Sequence, residues 1–384
     1  MMDTKQDLFR FIDKEKPVLE IGPLDVPMVT KSGGNVYYAD IRSNEELTEH
    51  YRNVHNDEKV KKIVPIDFVV KSTYKEAVGG LRFQTVVSSH VIEHTFDFIR
   101  HLQEIGEILN ESGHYVMRVP DKRHCFDHFR EITPFRDAYD VYMNGESALK
   151  RLKMDYFMMK HPCNNPVGYL RGSVSYGTEL FNEERFNLAQ NQFRDFVKDS
   201  DPVHFWVFTS LSFMALIRDC LLFNLIPFEL VFAHDSANLP VEFYVVLKKN
   251  SELTKNEVKR KAEIFRINEI IESRKSENKN FDVKQSNLKN YVSGAEKVYI
   301  YGGAEKVKYL LHILGEDAKY ITGAVFEPYC KKEGCCVQGY RLDEIEDKNS
   351  KIIVALAESV CSKALQELKD SGFVNIATYL PLCF

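Results

Sequence analysis

The chain lacks the marks of several protein classes. Its 51 Lys and Arg residues are outnumbered by 56 Asp and Glu, which leaves a formal net charge of −5. It therefore has no basic field with which to hold a polyphosphate backbone, and no nucleic-acid partner is expected. No apolar run reaches the roughly 20 residues a helix needs to cross a bilayer. The most apolar stretch, from Phe205 to Phe232, is interrupted by Arg218-Asp219 and Asn224. The opening MMDTKQDLFRFIDKEKP has no apolar core between basic and small-residue flanks, so it does not read as a secretion signal. The eight cysteines are scattered, with no Cys-x-x-Cys pair and only Cys335-Cys336 adjacent. That pattern argues against a disulfide framework and shows no zinc spacing; no metal ligands and a cytoplasmic setting are the expectation.

What is present is an ordinary globular composition, 44% apolar and 28% charged, in a chain of 384 residues, long for one core and comfortable for two domains. Over the first 250 residues, short β-branched or aromatic runs alternate with helical patterns, as in a parallel α/β sheet. Strands are expected over residues 18–21, 36–39, 63–66, 85–88 and 115–119. Between the last two, Phe98, Leu102, Ile105 and Leu109 share one helical face, with Thr95 as N-cap, Asp97 in the first turn and Asn110-Glu111-Ser112-Gly113 as the stop. The stretch from Phe205 to Phe232 reads as a buried helix and strand. Residues 120–200 form a polar and aromatic insert, expected to cover the carboxyl edge of the sheet, where α/β proteins bind substrate.

From residue 251 to 290 the composition shifts to Lys, Glu, Asn and Ser. Ile264, Ile267 and Ile271 mark one amphipathic helix, and residues 273–280 read as a solvated linker. A second, smaller α/β unit is expected over 291–384. Its strands fall at 297–301, 320–326 and 351–357, with a Gly302-Gly303 turn opening a helix over 305–314.

Two motifs point to a nucleotide-like ligand. Val18-Leu19-Glu20-Ile21-Gly22-Pro23 closes an apolar run on a glycine turn, which lets backbone approach a ligand. Twenty residues after Glu20, a second strand ends on Asp40, placed to hold a ribose diol. A dinucleotide fingerprint needs three glycines beneath its pyrophosphate, and only Gly22 is present. S-adenosylmethionine carries no phosphate and asks less of the turn. Asp67, at the end of the expected third strand, is placed to reach an adenine. The most specific stretch is Ser88-Ser89-His90-Val91-Ile92-Glu93-His94, where the fourth strand should end and a helix begin. Two imidazoles and a carboxylate there are poorly explained by packing, and an imidazole titrates in the range a general base needs.

In this order the elements resemble the class I S-adenosylmethionine-dependent methyltransferases, over roughly residues 15–250. A narrower likeness is to a bacterial subgroup found with glycosyltransferases. It is carried by Val119-Pro120-Asp121-Lys122-Arg123, by Phe126-Asp127, and by Arg130 with Thr133. Val203-His204-Phe205-Trp206-Val207-Phe208-Thr209 with Ser212-Phe213, and Glu242-Phe243-Tyr244-Val245-Val246-Leu247, are similar to its second half.

The resemblance implies an α/β fold, a Rossmann-like methyltransferase sheet with helices on both faces in a domain over 1–250, then a charged helix and linker over 251–290, then a small Rossmann-like α/β domain over 291–384. It implies S-adenosyl-L-methionine as cofactor, with Glu20, Gly22, Pro23, Asp40, Asp67, Ser89 and His90 around it. The implied reaction is O-methylation of a sugar, nucleotide sugar or glycan precursor, with Glu93, Arg123, Asp127, Arg130 and Trp206 on the acceptor side. A sugar hydroxyl has a high pKa, so a base is useful; His94 is the first choice, Asp121 and His204 the second. In the C-terminal unit, Tyr301-Gly302-Gly303-Ala304-Glu305-Lys306-Val307 is similar to the nucleotide-binding turn of small domains appended to sugar-modifying enzymes. Val307 stands where a third glycine would be, so a scaffold or homo-oligomerisation role is as consistent as ligand binding.

Three other readings remain open. A nicotinamide-dependent reductase or epimerase of nucleotide sugars is disfavoured by the missing glycines and by the lack of a Tyr-x-x-x-Lys couple with a nearby Ser. A non-catalytic scaffold would have little use for Glu20, Asp40 and Glu93-His94 together. A lipid or quinone acceptor is disfavoured by the shortage of exposed basic amphipathic helices.

Overall fold

The computed structural model describes residues 5–52, 60–161, 182–196, 203–235, 241–326, 337–355 and 358–378. The chain divides into two compact units, Met1–Glu272 and Ser273–Phe384.

The first unit is built on a seven-stranded sheet: β1 (Val18–Ile21), β2 (Val36–Asp40), β3 (Phe68–Val69), β4 (Phe83–Ser89), β5 (Leu109–Pro120), β6 (Phe228–Asp235) and β7 (Glu242–Lys249). Their order is β3-β2-β1-β4-β5-β7-β6. Pairing is parallel from β3 through β5, and only β7 runs antiparallel, between β5 and β6. This is the Rossmann-like arrangement the sequence resemblance implied. All four residues of β1 are buried, as expected of a parallel strand covered on both faces.

Alternation along β4 and β5 divides the core between the two faces. Val86, Tyr115 and Met117 point into one cluster, packed against the helices Phe98–Ile108 and Ser210–Leu222. Val87 and Val116 point into the other, with Leu8 of the helix Lys5–Phe9 and with Met28 and Val29. The apolar stretch noted in the sequence is accordingly a buried helix followed by β6. No helix among the described residues is long and apolar enough to cross a membrane.

Three local expectations are corrected. The third strand is Phe68–Val69, paired with Ala39 and Asp40, and not residues 63–66. The helix after β4 is capped by Asp97, whose carboxylate accepts the Arg100 N–H at 2.8 Å. The Thr95 hydroxyl instead donates to the Ile92 carbonyl at 2.8 Å and closes the preceding turn. Residues 110–113, expected as the helix stop, lie within β5. Of the insert, the helices Phe135–Asn144, Glu146–Met159 and Glu183–Arg194 are described, while 162–181 and 197–202 lie outside the described residues.

The segment expected as a linker lies inside one helix, Glu257–Val292. Its Lys-, Glu- and Asn-rich sequence contains neither glycine nor proline, so nothing in it breaks a helix. In the first unit Ile267 and Ile271 of this helix are buried.

The second unit carries a five-stranded parallel sheet of β8 (Val298–Tyr301), β9 (Ile321–Val325), β10 (Gly339–Tyr340), β11 (Lys351–Val354) and β12 (Ile376–Thr378). The order is β10-β9-β8-β11-β12. After β8, Gly302 passes so close to β11 that a Cβ would lie 2.7 Å from the Ala355 carbonyl oxygen. Val307, in the helix Ala304–Leu314, is fully buried in the core of this unit. The Cys335-Cys336 pair lies outside the described residues.

One buried group gives the first unit a pH dependence. His101 Nε2 lies 2.9 Å from the Tyr115 hydroxyl, which lies 2.9 Å from Ser88 Oγ. Burial holds this imidazole down to about 3, against an ordinary value of 6.5. Between those values the unfolded chain binds a proton that the folded chain does not. Stability from this group is therefore full above pH 6.5 and falls as pH drops, by at most about 1.4 kcal/mol per pH unit. Urea unfolding followed against pH is expected to show this slope, and His101→Gln should flatten it by one proton's share.

Candidate functional site

In this sheet order the connections run one way from β1 and the other way from β4, so the crevice outside the carboxyl ends of β1 and β4 is the switch point where α/β sheets bind ligands. At the end of β1 stands Gly22, with φ +66°, and a Cβ there would come 3.0 Å from Val91 Cγ2 beyond β4. Both demands favour glycine. Pro23 is buried at the same turn.

Glu20 is 1% exposed. Its Oε1 accepts the Met28 N–H at 2.6 Å and its Oε2 the Val29 N–H at 2.8 Å. This carboxylate thus fastens the loop after β1 rather than facing the crevice, and it is a positioning residue. Asp40, at the carboxyl end of β2, is half-buried and accepts the Arg42 N–H at 2.9 Å. Burial raises its carboxyl, with the Arg42 N–H opposing. Asp67 is a correction. Because β3 begins at Phe68, Asp67 precedes the strand, at the end away from the crevice. It accepts the Tyr38 N–H at 2.7 Å and pairs with Lys31 at 2.6 Å.

At the end of β4, Ser89 is half-buried and His90 has φ +54°. The His90 imidazole is 42% exposed, 3.0 Å from Glu242 Oε2 through Nε2 and 3.5 Å from Glu93 Oε1 through Nδ1. Burial alone would lower it, but Glu242 and Glu93 outweigh burial and raise it to about 9. It is a cation at neutral pH. Glu242 also accepts Arg118 Nε and Nη2, at 2.9 and 2.8 Å. Glu242 is a residue of the site that no local sequence signal marks. Its place follows from the antiparallel register of β7, which sets it opposite Pro120, and no local motif carries that information.

The short turn Ile92–His94 then brings the central group together. Glu93 is 0% exposed, and neither carboxylate oxygen has a hydrogen-bond partner among the described residues. His94 Nδ1 donates to the Val203 carbonyl at 2.9 Å, and His204 Nδ1 donates to Asp127 Oδ2 at 2.5 Å. Both acceptors lack protons, so each ring carries a hydrogen on Nδ1, and Nε2 is the nitrogen that bears the lone pair in the neutral form. These two Nε2 atoms lie 3.8 and 3.9 Å from Glu93 Oε1. The rings stand edge to face with centroids 4.6 Å apart. Burial would raise the Glu93 carboxyl, but His90, His94 and His204 hold it below the ordinary value. Burial lowers His94, against the pull of Glu93. One donor atom from each of Glu93, His94 and His204 falls within 4.8 Å of the other two. The sequence carries no spacing motif for this cluster, because its third member lies far downstream of the other two.

Several residues expected to meet the acceptor have other tasks. Asp127 is buried, accepts His204 Nδ1 and pairs with Arg130 at 2.8 Å. Arg130 is itself buried and also holds Asp155 and the His204 carbonyl. Asp121 is buried and accepts the Arg123 backbone N–H, Nε and Nη2, so its carboxylate is engaged and it is not a base. Arg123 bridges Asp121 to Asp235, at 2.6 and 2.8 Å. Trp206 is 1% exposed, packs edge to face on Phe98 and donates to the Thr95 carbonyl, so it presents no face to a sugar. Of the three expected bases, His94 and His204 keep an open nitrogen.

No family model matches the chain, and no curated protein matches it. Solved structures match at low similarity. An S-adenosylmethionine-dependent methyltransferase from Mesorhizobium loti is similar at 10% identity over 64% of this chain and 96% of its own, with a TM-score of 0.31. Phosphoethanolamine N-methyltransferase 1 from Haemonchus contortus, in complex with phosphoethanolamine and S-adenosylhomocysteine, is similar at 12% identity over 98% of this chain and 69% of its own, with a TM-score of 0.33. A protein assigned to the zinc-dependent alcohol dehydrogenases of Rhodobacter sphaeroides reaches 0.34 at 13% identity, over 65% and 90%. Likenesses this distant carry no argument about activity, and the fold rests on the chain's own strand order.

The anchoring of the first loop is directly measurable. Glu20→Ala removes the charged acceptor of two buried N–H groups and is expected to lower the unfolding free energy by about 3 kcal/mol in urea titrations. Glu20→Gln, which keeps one acceptor oxygen, should lose about half of that. A change below about 1 kcal/mol in the alanine variant would show that the loop is held by other contacts.

Proposed function

We propose that the chain transfers a methyl group from S-adenosylmethionine to a hydroxyl of a sugar or glycan-precursor acceptor. The observation that carries the reading is the pairing at adjacent strand ends. The glycine turn after β1 lies beside Asp40 at the end of β2, while Glu93, His94 and His204 gather beyond β4, across the same switch point.

The cradle side fits a cofactor without phosphate. Gly22 gives one close backbone approach, and no further glycine follows before Gly33, so a pyrophosphate would find no bed of N–H groups. Asp40 stands where a ribose diol would be held, and Ser89 and His90 would border the cofactor from β4. When bound, S-adenosylmethionine supplies a methyl group already activated by a sulfonium. The protein has to align the acceptor and remove its hydroxyl proton. His94 and His204 are each held through Nδ1, which leaves Nε2 as the nitrogen that can take a proton, whereas His90, raised to about 9 by Glu242 and Glu93, faces a carboxylate with each nitrogen. A sugar suits this polar, imidazole-lined wall. The nicotinamide alternative is disfavoured by the glycines missing from the turns after β1 and β8.

Isothermal titration of the full chain with S-adenosylhomocysteine, NAD and a nucleotide sugar tests the reading. Micromolar binding of S-adenosylhomocysteine, weakened at least about tenfold in Asp40→Ala, is the expected result, a loss of about 1.4 kcal/mol. No binding of it, with a clear NAD or nucleotide-sugar signal, would overturn methyl transfer.

A further inference from the structure

We propose that Glu93, His94 and His204 form a binding site for one divalent metal ion, of the zinc, cobalt or manganese kind, that holds the acceptor hydroxyl. The geometry of the three side chains carries the site itself. Its use in methyl transfer rests on the function proposed above.

Three features point to a cation. The first is Glu93, a carboxylate with no exposure and no hydrogen bond to either oxygen among the described residues. Buried ionised groups are normally hydrogen-bonded, paired or bound to metal. His90 Nδ1, at 3.5 Å, is too far for a good hydrogen bond and is engaged through Nε2 with Glu242.

The second is the orientation of the imidazoles. His94 is fixed by the Val203 carbonyl, and His204 by Asp127, which is locked in turn by Arg130. Both rings thereby turn Nε2 toward the same carboxylate, with Nδ1 already engaged. Metal-binding histidines are held in this way, by a carbonyl or a carboxylate on the other nitrogen.

The third is the spacing. If the two histidines served only to neutralise Glu93, they would donate to it from Nε2 at hydrogen-bond distance. They stand at 3.8 and 3.9 Å instead. A cation about 2.1 Å from each ligand sets neighbouring donors about 3.0 to 3.4 Å apart, so the two histidine–Glu93 separations need to close by less than about an ångström, and no pair in the trio by more than about 1.8 Å.

Two nitrogens and one carboxylate suit zinc or another borderline divalent ion, and do not suit calcium, which takes oxygens. Three protein ligands also leave coordination positions open for water or substrate. The His94 side chain is 33% exposed, which gives the cluster an opening to the crevice. An acceptor hydroxyl held there would lose its proton more readily. With both Nε2 lone pairs on the ion, neither imidazole serves as the base of the metal-free reading; the proton goes to solvent, the oxygen pair forms the bond to the methyl carbon, and the sulfur–carbon pair stays on sulfur.

The test is titration of chelator-treated full-length protein with Co2+, read by its visible spectrum, and with Zn2+ by competition against a chromophoric chelator. One equivalent per chain is expected, with bands showing nitrogen and oxygen ligands. His204→Gln and Glu93→Gln should weaken binding at least about 100-fold. Asp127→Asn, which reaches the site only through the second nitrogen of His204, should weaken it about 10- to 100-fold at unchanged stoichiometry. Circular dichroism and S-adenosylhomocysteine titration report whether each variant is folded. Absence of binding in the wild type overturns the site, whatever the variants do. Binding unaltered in folded His204→Gln and Asp127→Asn also overturns it, because the ion then sits elsewhere. Metal binding without any S-adenosylhomocysteine binding would leave the site standing and remove the methyl-transfer reading alone.

Discussion

A carboxylate buried at the end of β4 sets the terms for everything around it. An ionised Glu93 with no solvent contact would be strongly unfavourable in isolation, and three imidazoles stand around it, of which His90 is the cation. Two of the imidazoles come from its own turn, at His90 and His94. The third, His204, arrives on a distant segment that is stitched to the turn by backbone. The Glu93 carbonyl accepts the Phe205 and Trp206 N–H groups at 2.8 and 3.2 Å. Trp206 and Phe205 then fill the core beside Phe98 and Phe96, so packing and electrostatics fix the same segment. Behind His204, Asp127 and Arg130 complete a chain of charge-assisted bonds in which each buried polar group has a partner except the Glu93 oxygens.

The opposite wall of the crevice follows a different logic. There the chain uses backbone. Gly22 turns sharply because it has no side chain, and Glu20 reaches under the turn to hold the loop at Met28 and Val29. Asp40 is the one carboxylate that stands at a strand end on this side. A wall of fixed backbone facing a wall of ionisable groups is what a transfer between a neutral-to-cationic cofactor and a polar acceptor asks of a protein. The first must be gripped by shape, and the second must lose a proton.

The part of this that could be read from sequence is the part set by local rules. The short β-branched runs that became β1, β2, β4 and β5 were legible because each is bounded by turns, and the helix before β5 because its apolar residues share one face. The end of β3 was not. Residues 63–66 are as apolar as a strand, but pairing with Ala39 and Asp40 falls two to three residues later, which moved Asp67 to the far end. The helix cap shifted by the same kind of competition: Thr95 and Asp97 can both cap, and the carboxylate is the one that reached the N–H while the hydroxyl closed the turn before it. The partners of His204 and the role of Glu242 were out of reach for a different reason. They are set by tertiary contact, for which a single sequence carries no local signal.

The misassigned polar residues share a physical cause. Asp121, Arg123, Asp127 and Arg130 follow β5 in a pattern that on sequence alone fits ligand contact, because charged residues near a strand's carboxyl edge commonly face a ligand. In the fold, three of the four are buried, and a buried charge must first satisfy its neighbours. Asp121 and Arg123 satisfy each other and tie the end of β5 to β6 through Asp235. Asp127 and Arg130 satisfy each other and fix the tautomer of His204. In the proposed chemistry the contribution of Asp127 and Arg130 is therefore indirect, through the nitrogen that His204 leaves open. A site assembled this way has few groups that touch substrate and many that hold those few in place. Its activity should be as sensitive to the loss of a supporting carboxylate as to the loss of an imidazole.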